Sequence, residues 1–230
     1  MPWIGETVAA IARKFFDLAD GFLMSVKKDV LVNMGGLLAF RSRELYLELA
    51  PSLIAMEGYL TYGGLSGRDM AALAVGLKEA VDPPHLSQRI GQVRYLAELL
   101  QREGISLQKP PGGHGVFVDA GRFLPHLQPE DYPGVALAAA LYLEAGVRGV
   151  EVGTFMMGRD PETGKDRRAP AEFLRLAIPR RVYTDRHMED VAEGLYRLKK
   201  KASEIPGVKV MEEPPVLRHL LASFVWKGRS

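Results

Sequence analysis

The chain of 230 residues is 47% hydrophobic and 25% charged, a composition typical of a soluble globular protein. A formal net charge of +2 gives no indication of nucleic-acid binding, and the lack of cysteine excludes disulfides, thiolate metal sites and a cysteine nucleophile. No apolar run is long enough to span a bilayer and no signal-peptide pattern opens the sequence, so we expect a cytoplasmic protein that binds neither membrane nor nucleic acid.

The first third of the chain combines helical patterns with short apolar runs. Apolar residues spaced three and four apart predict an amphipathic helix over residues 3–22. The apolar runs 30–32 and 37–40 predict two buried strands. A charged helix is predicted over 41–50, where a proline interrupts it, and a further helix over 70–81.

A proline pair marks the predicted domain boundary, which divides the chain into residues 1–85 and 86–230. Beyond the boundary strands alternate with helices, and this order predicts an α/β or α+β domain. A long helix capped by Ser87 and ended by Gly104 comes first, followed by predicted strands at 116–119, 147–157, 174–179 and within 217–226, and predicted helices at 130–145 and 185–203.

Two adjacent lysines, Lys27 and Lys28, stand between the first helix and the apolar run. Such a pair is usually part of a solvated surface. At the edge of a buried strand, however, repulsion between two ammonium groups favours a neutral amine at Lys28, and a neutral lysine is a nucleophile. The loop 57–67, which contains Tyr62, is rich in glycine, but its spacing matches no nucleotide-binding loop and a flexible turn explains it.

Arg175 interrupts an otherwise apolar predicted strand. A buried guanidinium is costly unless it is paired, so Arg175 either forms a buried ion pair or receives a substrate carboxylate bidentately. The sequence leaves both alternatives open. The five histidines lack the spacing of a zinc site. His114, just before a predicted strand, and His219, inside the last one, are the two that are placed to point into a cleft.

Six segments together resemble one enzyme family. They are Met24–Asp29 with Met34–Gly36, Tyr62–Leu65, Gly112–Ala120, Gly158–Lys165, Leu174–Arg180 and Val216–His219. In this order they are similar to the β-eliminating lyases that use pyridoxal phosphate (PLP), tryptophanase and tyrosine phenol-lyase. The resemblance covers nearly the whole chain but only the second half of the family's sequence. It implies an α/β fold, the C-terminal part of a fold-type I PLP-dependent transferase-like protein, with the edge of the large domain in 1–85 and the small domain in 86–230.

The resemblance implies a set of cofactor-binding residues in the first domain. Lys28 would form the Schiff base with PLP and remove the Cα proton of the substrate. Lys27 and Ser25 would hold the cofactor phosphate, and Tyr62 would line the site. Asn33 would offer its carbonyl to a monovalent cation such as potassium.

The resemblance also implies substrate contacts in the second domain. Arg175 would bind the amino acid's carboxylate, which selects one of the two alternatives above, and His114 would line the site. Phenol-lyases carry an arginine for the phenol where this chain has Val152, and they place an aromatic residue where it has His219, which would be catalytic as in tryptophanase. An apolar pocket with a histidine suits indole, so the implied reaction is β-elimination of tryptophan to indole, pyruvate and ammonium, with phenol-lyase-like activity as the alternative.

Four groups that the family uses on its cofactor are missing from this half: an arginine for the phosphate, an aromatic residue stacked on the ring, a carboxylate facing the ring nitrogen and a tyrosine acid. We therefore expect a split enzyme that is completed by a separate N-terminal-half chain, a homo-oligomer, or both. A catalytically inactive remnant or interaction module is the alternative from another class, and a stand-alone enzyme with a reduced site is a weaker one. An exposed apolar face on residues 1–85 would favour the split enzyme.

Overall fold

The computed structural model describes residues 5–30, 32–179 and 182–228. The chain divides into two compact units. Unit 1 comprises Met1–Gly91 with Pro179–Val182, and unit 2 comprises Gln92–Ile178 with Tyr183–Ser230. None of the helices in the described part of the chain is long and apolar enough to cross a membrane.

Unit 1 is built from helices around a small antiparallel strand pair. Its elements are α1 (Val8–Leu18), β1 (Gly21–Met24), α2 (Val26–Asp29), β2 (Leu37–Phe40), α3 (Arg43–Met56), α4 (Gly67–Glu79) and the start of α5 (Pro83–Arg102). Strand β1 pairs antiparallel with β2, with Gly21 opposite Phe40. Hydroxyl side chains at the N-caps of α1, α3 and α4 accept a backbone N–H from the first turn, which explains where these helices begin.

The buried apolar core of unit 1 is small. It consists of Val26, Val30 and Val32, with a few half-buried neighbours. Helices α1 and α3 have no buried residue at all, and β2 is only half buried. Large apolar side chains are therefore left on the surface of this chain, among them Leu18 at 84%, Leu23 at 82% and Met56 at 82% exposure.

Four predictions for the part of the chain up to α5 are wrong. The helix predicted over 3–22 ends at Leu18, and Gly21–Met24 form the strand β1 instead. Residues Val30 and Val32 are buried but lie in no strand, because the chain makes the helical turn α2 and then a bend; Leu31 lies outside the described residues. Helix α3 continues through Pro51 to Met56. Helix α5 begins at the proline pair instead of being capped by Ser87, because proline is compatible with the first turn of a helix.

Unit 2 is a three-stranded antiparallel sheet covered by helices. After α5 come β3 (Gly115–Asp119), α6 (Ala120–Phe123), α7 (Pro133–Ala145), β4 (Val150–Val152), α8 (Thr154–Met157), β5 (Phe173–Ala177), α9 (Asp185–Lys200), β6 (Val208–Glu212), α10 (Arg218–Leu221) and β7 (Ser223–Trp226). The strand order is β3-β5-β4, with Arg175 opposite Phe117 on one side and Val150 on the other. Strands β6 and β7 form a separate antiparallel pair.

The core of unit 2 lies between this sheet and the helices. Alternate residues of β5, Leu174 and Leu176, are buried against it, together with side chains of α5, α7 and α9. Helix α9 comes so close to α7 that a Cβ on Gly194 would lie 2.6 Å from the Cβ of Ala145. Glycine at this position lets the two helices pack directly over the sheet.

One predicted strand of unit 2 is shorter than expected, and the last strand lies within its predicted range but does not include His219. The predicted strand 147–157 is a strand only at Val150–Val152 and then becomes the short helix α8. The last predicted strand is β7 alone, so His219 lies on the helix α10 and not in a strand. Strand β5 matches its prediction within two residues, although Arg180, the last residue of the resembling segment, lies outside the described residues.

Replacing Leu195 with alanine should lower the free energy of unfolding by about 2–5 kcal/mol, because it removes a fully buried side chain of α9 from the core. Urea unfolding followed by circular dichroism measures this change. Leu143→Ala is the matched control, since Leu143 is 73% exposed and should cost far less. Equal losses for the two variants would contradict this packing of α9.

Candidate active site

The lysine segment of unit 1 is a single helical turn. The backbone N–H of Lys28 donates to the carbonyl of Ser25, and that of Val30 donates to the carbonyl of Val26. Val26 and Val30 are fully buried and fix the turn, while Lys28 is half-buried and Lys27 exposed. The Nζ of Lys28 lies 3.2 Å from the Oγ of Ser25, to which it donates a hydrogen bond.

The other residues expected at the cofactor occupy loops of unit 1. Tyr62 lies in a turn in which its N–H donates to the carbonyl of Tyr59, and its side chain is half exposed. Asn33 is exposed beyond the lysine turn. The structure thus brings Ser25 and Lys28 into contact and places Tyr62 and Asn33 in the same unit.

Arg175 and His114 are in contact in unit 2. Arg175 Nη2 lies 2.9 Å from His114 Nε2. A guanidinium has only donors, so Nε2 accepts this bond and the ring proton of a neutral His114 lies on Nδ1. The Nε of Arg175 is buried and has no hydrogen-bond partner within the described residues, and no carboxylate among them forms an ion pair with it.

Val152 lies on the same face of the sheet as Arg175. Val152 is paired with Phe173, and Arg175 is two residues further along β5, so the two positions are diagonal neighbours. His219 is exposed on α10, which contacts α8, the helix that follows Val152. The substrate residues predicted from the sequence therefore lie on β5, in the turn before β3, on β4 and on α10, which contacts the helix after β4.

A pair of buried carboxylates, Glu151 and Glu172, was not predicted. Glu151 accepts the backbone N–H groups of Phe155 and Met156, both at 3.1 Å. Glu172 accepts the N–H of Thr154 at 3.1 Å and also its hydroxyl. The two carboxylates together hold the turn that leads from Val152 into α8.

Gly153 separates these two carboxylates. A Cβ at this position would lie 2.2 Å from Glu172 Oε2 and 2.8 Å from Glu151 Oε1, so only glycine fits. Burial and the neighbouring charge of Glu172 raise the pKa of Glu151 to about 7. Burial also raises the pKa of Glu172. The Glu-x-Gly-Thr sequence could have suggested a capped turn, but Glu172 is distant in sequence and gives no local signal.

The described residues offer no cluster of three or more histidine and acidic side chains that could hold a metal ion. Each unit by itself holds a group that PLP chemistry requires. In unit 1, Lys28 supplies an amine held by a hydroxyl, and in unit 2 the buried Nε of Arg175 suits a carboxylate.

Known proteins resemble this chain over nearly its whole length. The family model for beta-eliminating lyases matches residues 6–194. The tryptophanase of Salinibacter ruber is 48% identical over 94% of this chain and 46% of its own length. The tyrosine phenol-lyase of Fusobacterium nucleatum is 45% identical over 95% of this chain and 48% of its own length. The chain therefore spans about half the length of the curated relatives it matches.

Solved structures show the same fold. A structure of SPT with PLP matches 84% of this chain and 43% of its own chain with a TM-score of 0.52 and 17% sequence identity. A serine palmitoyltransferase from S. paucimobilis matches the same shares with a TM-score of 0.50 and 15% identity. These matches confirm the predicted fold class, an α/β fold of the fold-type I kind.

The stability of the chain should fall as pH rises from about 4.5 through 7. The pKa of Glu151 is about 7 in the folded chain, above its ordinary value of 4.5, so the folded state binds the proton more tightly. The stability contributed by the protonated Glu151 carboxyl is fully present below pH 4.5 and is lost above pH 7. The loss in the free energy of unfolding is up to about 3 kcal/mol.

Denaturant unfolding of Glu151→Gln across this pH range should give a flatter curve than the wild type, because the variant cannot titrate there. Glu103→Gln changes an exposed glutamate and is the control, with the wild-type slope expected. Identical slopes for wild type and Glu151→Gln would show that the buried carboxyl does not titrate in this range.

Proposed function

This chain belongs to the beta-eliminating lyase family, and we propose that it supplies the lysine-bearing half of a PLP-dependent carbon–carbon lyase. The reaction is β-elimination of an aromatic L-amino acid, with tryptophan giving indole, pyruvate and ammonium. The observation that carries this proposal is Arg175. Its buried Nε has no partner among the described residues, and its contact with a neutral histidine leaves the charge uncompensated by any described carboxylate.

Lys28 is the base of the proposed reaction. Its amine anchors the cofactor and then takes the proton from the substrate Cα, while bound PLP supplies the electron sink for the resulting carbanion. Ser25 accepts a hydrogen bond from Nζ and so orients the amine. Ser25 and the exposed Lys27 are assigned to the cofactor phosphate, Tyr62 to the wall of the cofactor site, and the carbonyl of Asn33 to a potassium ion.

Arg175 binds the substrate carboxylate through paired N–H donors, a geometry that suits guanidinium better than ammonium. His114 supports this role. His114 Nε2 accepts a hydrogen bond from Nη2 of Arg175 and so orients the guanidinium. A histidine acceptor, unlike a carboxylate, does not neutralise the positive charge of the guanidinium. Arg175 is the central residue of β5, opposite Phe117 of β3, so the carboxylate-binding group is held by a strand rather than by a loop, and His114 contacts it from the turn that precedes β3.

Val152 and His219 are assigned to the leaving group. Val152 offers an apolar, half-buried surface beside Arg175, and His219 adds a titratable group from α10. The apolar side chain of Val152 suits the larger apolar face of the indole ring and offers no donor to the oxygen of a phenol. Tryptophan is therefore the proposed substrate in preference to tyrosine.

The exposed apolar surface of unit 1 supports a partner that completes the site. Leu18 on α1, Leu23 on β1 and Met56 on α3 are each more than 80% exposed in this chain. Apolar surface on this scale marks an interaction site. We assign it to a polypeptide that carries the family's N-terminal half, and the completed assembly to a homo-oligomer in the cytoplasm.

The cofactor should bind covalently to Lys28. The chain is mixed with PLP and with an N-terminal-half polypeptide from the same organism, reduced with borohydride, digested and analysed by mass spectrometry. The phosphopyridoxyl group is expected on the peptide that contains Lys28. Lys28→Ala should abolish the label, whereas Lys27→Ala should retain it, weakened by loss of a phosphate contact. A label that survives in Lys28→Ala, or its absence from the wild-type mixture, contradicts the proposal.

Arg175→Ala should weaken amino-acid binding by about 100-fold or more, because a buried charge-assisted contact is lost, and should leave cofactor attachment intact. Equilibrium titration with L-tryptophan measures the binding, and the borohydride label measures attachment. Arg148→Ala, a change at an exposed arginine of unit 2, is the control. Loss of the label in Arg175→Ala would show that the assigned role is wrong.

A further inference from the structure

An aromatic cluster connects the two elements that carry Val152 and His219. It consists of Tyr132, Phe155 and Phe224, packed edge to face with ring centroids 4.9–6.5 Å apart. Phe155 belongs to α8, directly after the Val152 turn, and Phe224 belongs to β7, directly after α10. The cluster therefore lies between the two sides of the proposed leaving-group site.

Arg218 covers this cluster. Its guanidinium carbon lies 4.1 Å from the centroid of the Phe155 ring, a cation–π distance. Its side chain is 10% exposed, which is unusual for arginine and costly without compensation. Arg218 also directly precedes His219 on α10, so whatever fixes Arg218 fixes the backbone that carries His219.

Acidic residues compensate the buried charge. Arg218 Nη1 donates to Asp166 Oδ1 at 2.6 Å, and Nε lies 3.0 Å from Glu213 Oε2. Asp166 also accepts the hydroxyl of Tyr132, so the same carboxylate binds both the arginine and the cluster beneath it. Arg159 pairs with Asp166 and Glu213 from the outer side, but its own side chain is 47% exposed.

From this geometry we infer that Arg218 is a positioning residue that sets the placement of Val152 and His219 relative to each other, and thereby selects amino acids with an aromatic leaving group. The inference rests on the proposed function. Arg218 itself touches no substrate. It acts through Phe155, which lies on α8 beyond the Val152 turn, and through its own helix, which presents His219.

A first experiment measures positioning on the full chain without cofactor or substrate. Hydrogen–deuterium exchange is followed in peptides covering 153–158 and 217–222. Arg218→Lys and Phe155→Leu should each raise exchange in both peptides by about tenfold, because a lysine cannot span both carboxylates and a leucine offers no π face. Arg159→Lys is the matched control: it alters the same acidic pair but not the ring contact, and both peptides should keep wild-type exchange. Unchanged exchange in Arg218→Lys and Phe155→Leu would overturn the inference.

A second experiment measures selection in the completed enzyme. The ratio of kcat/KM for L-tryptophan to that for S-ethyl-L-cysteine, which has a thiolate leaving group and no ring, should fall about tenfold or more in Arg218→Lys. The value for S-ethyl-L-cysteine should change little, and Arg159→Lys should keep the wild-type ratio. Equal losses for both substrates would reduce Arg218 to a structural role and overturn the inference. A wild-type assembly without lyase activity would instead contradict the proposed function, while the exchange experiment still decides whether Arg218 orders the two segments.

Discussion

The alternation of side chains along β5 is the constraint on which the second unit depends. Leu174 and Leu176 are buried under the helices, so Phe173 and Arg175 must lie on the opposite face. Because β5 is the central strand, its neighbours share this arrangement: Phe117, Val150 and Val152 lie on the face of Arg175, and Glu151 lies on the face of Leu174. The pairing of β5 with β3 and β4 thus decides which side chains face the helices and stabilise the fold. The side chains on the other face are available for a ligand.

The two units differ in how far they stabilise themselves. In unit 2 a continuous core joins the sheet with α5, α7 and α9, and most large apolar side chains are buried in it. In unit 1 three valines form the buried core, and whole helices have no buried residue. The lysine turn is held by those valines and a few half-buried neighbours, so the group proposed to anchor the cofactor belongs to a unit with a small core and large exposed apolar side chains.

The elements predicted most accurately from the sequence are those that a local pattern of apolar residues defines. Strand β5 and helix α9 lie close to their predicted bounds, because alternation and helical spacing are each unmistakable there. It failed where two patterns compete. The run around Val30 is β-branched and apolar, yet Val30 follows a helical turn and neither Val30 nor Val32 lies in a strand. His219 is predicted in a strand but lies on a helix, whose Arg218 contacts Asp166, 52 residues away in the sequence.

The sequence predicts those residues of the candidate site that are unusual in their local sequence. Arg175 is recognisable as a charge in an apolar strand, but its contact with His114 depends on the turn before β3 and does not follow from the strand pairing, which places Phe117 opposite Arg175. The Glu151–Glu172 pair could not be found in this way, since its two members are meaningful only once the sheet brings them around Gly153.

The position of β4 at the edge of the sheet bears on how this family could diversify. Val152 pairs with β5 on one side only, and its side chain points away from the leucines of the core. A different side chain at this position would face away from the helix-covered core, while the carboxylates at Gly153 keep the turn in place. The residue proposed to contact the leaving group and the residues that stabilise the fold therefore lie on opposite faces of one sheet, so a mutation at the first need not disturb the second.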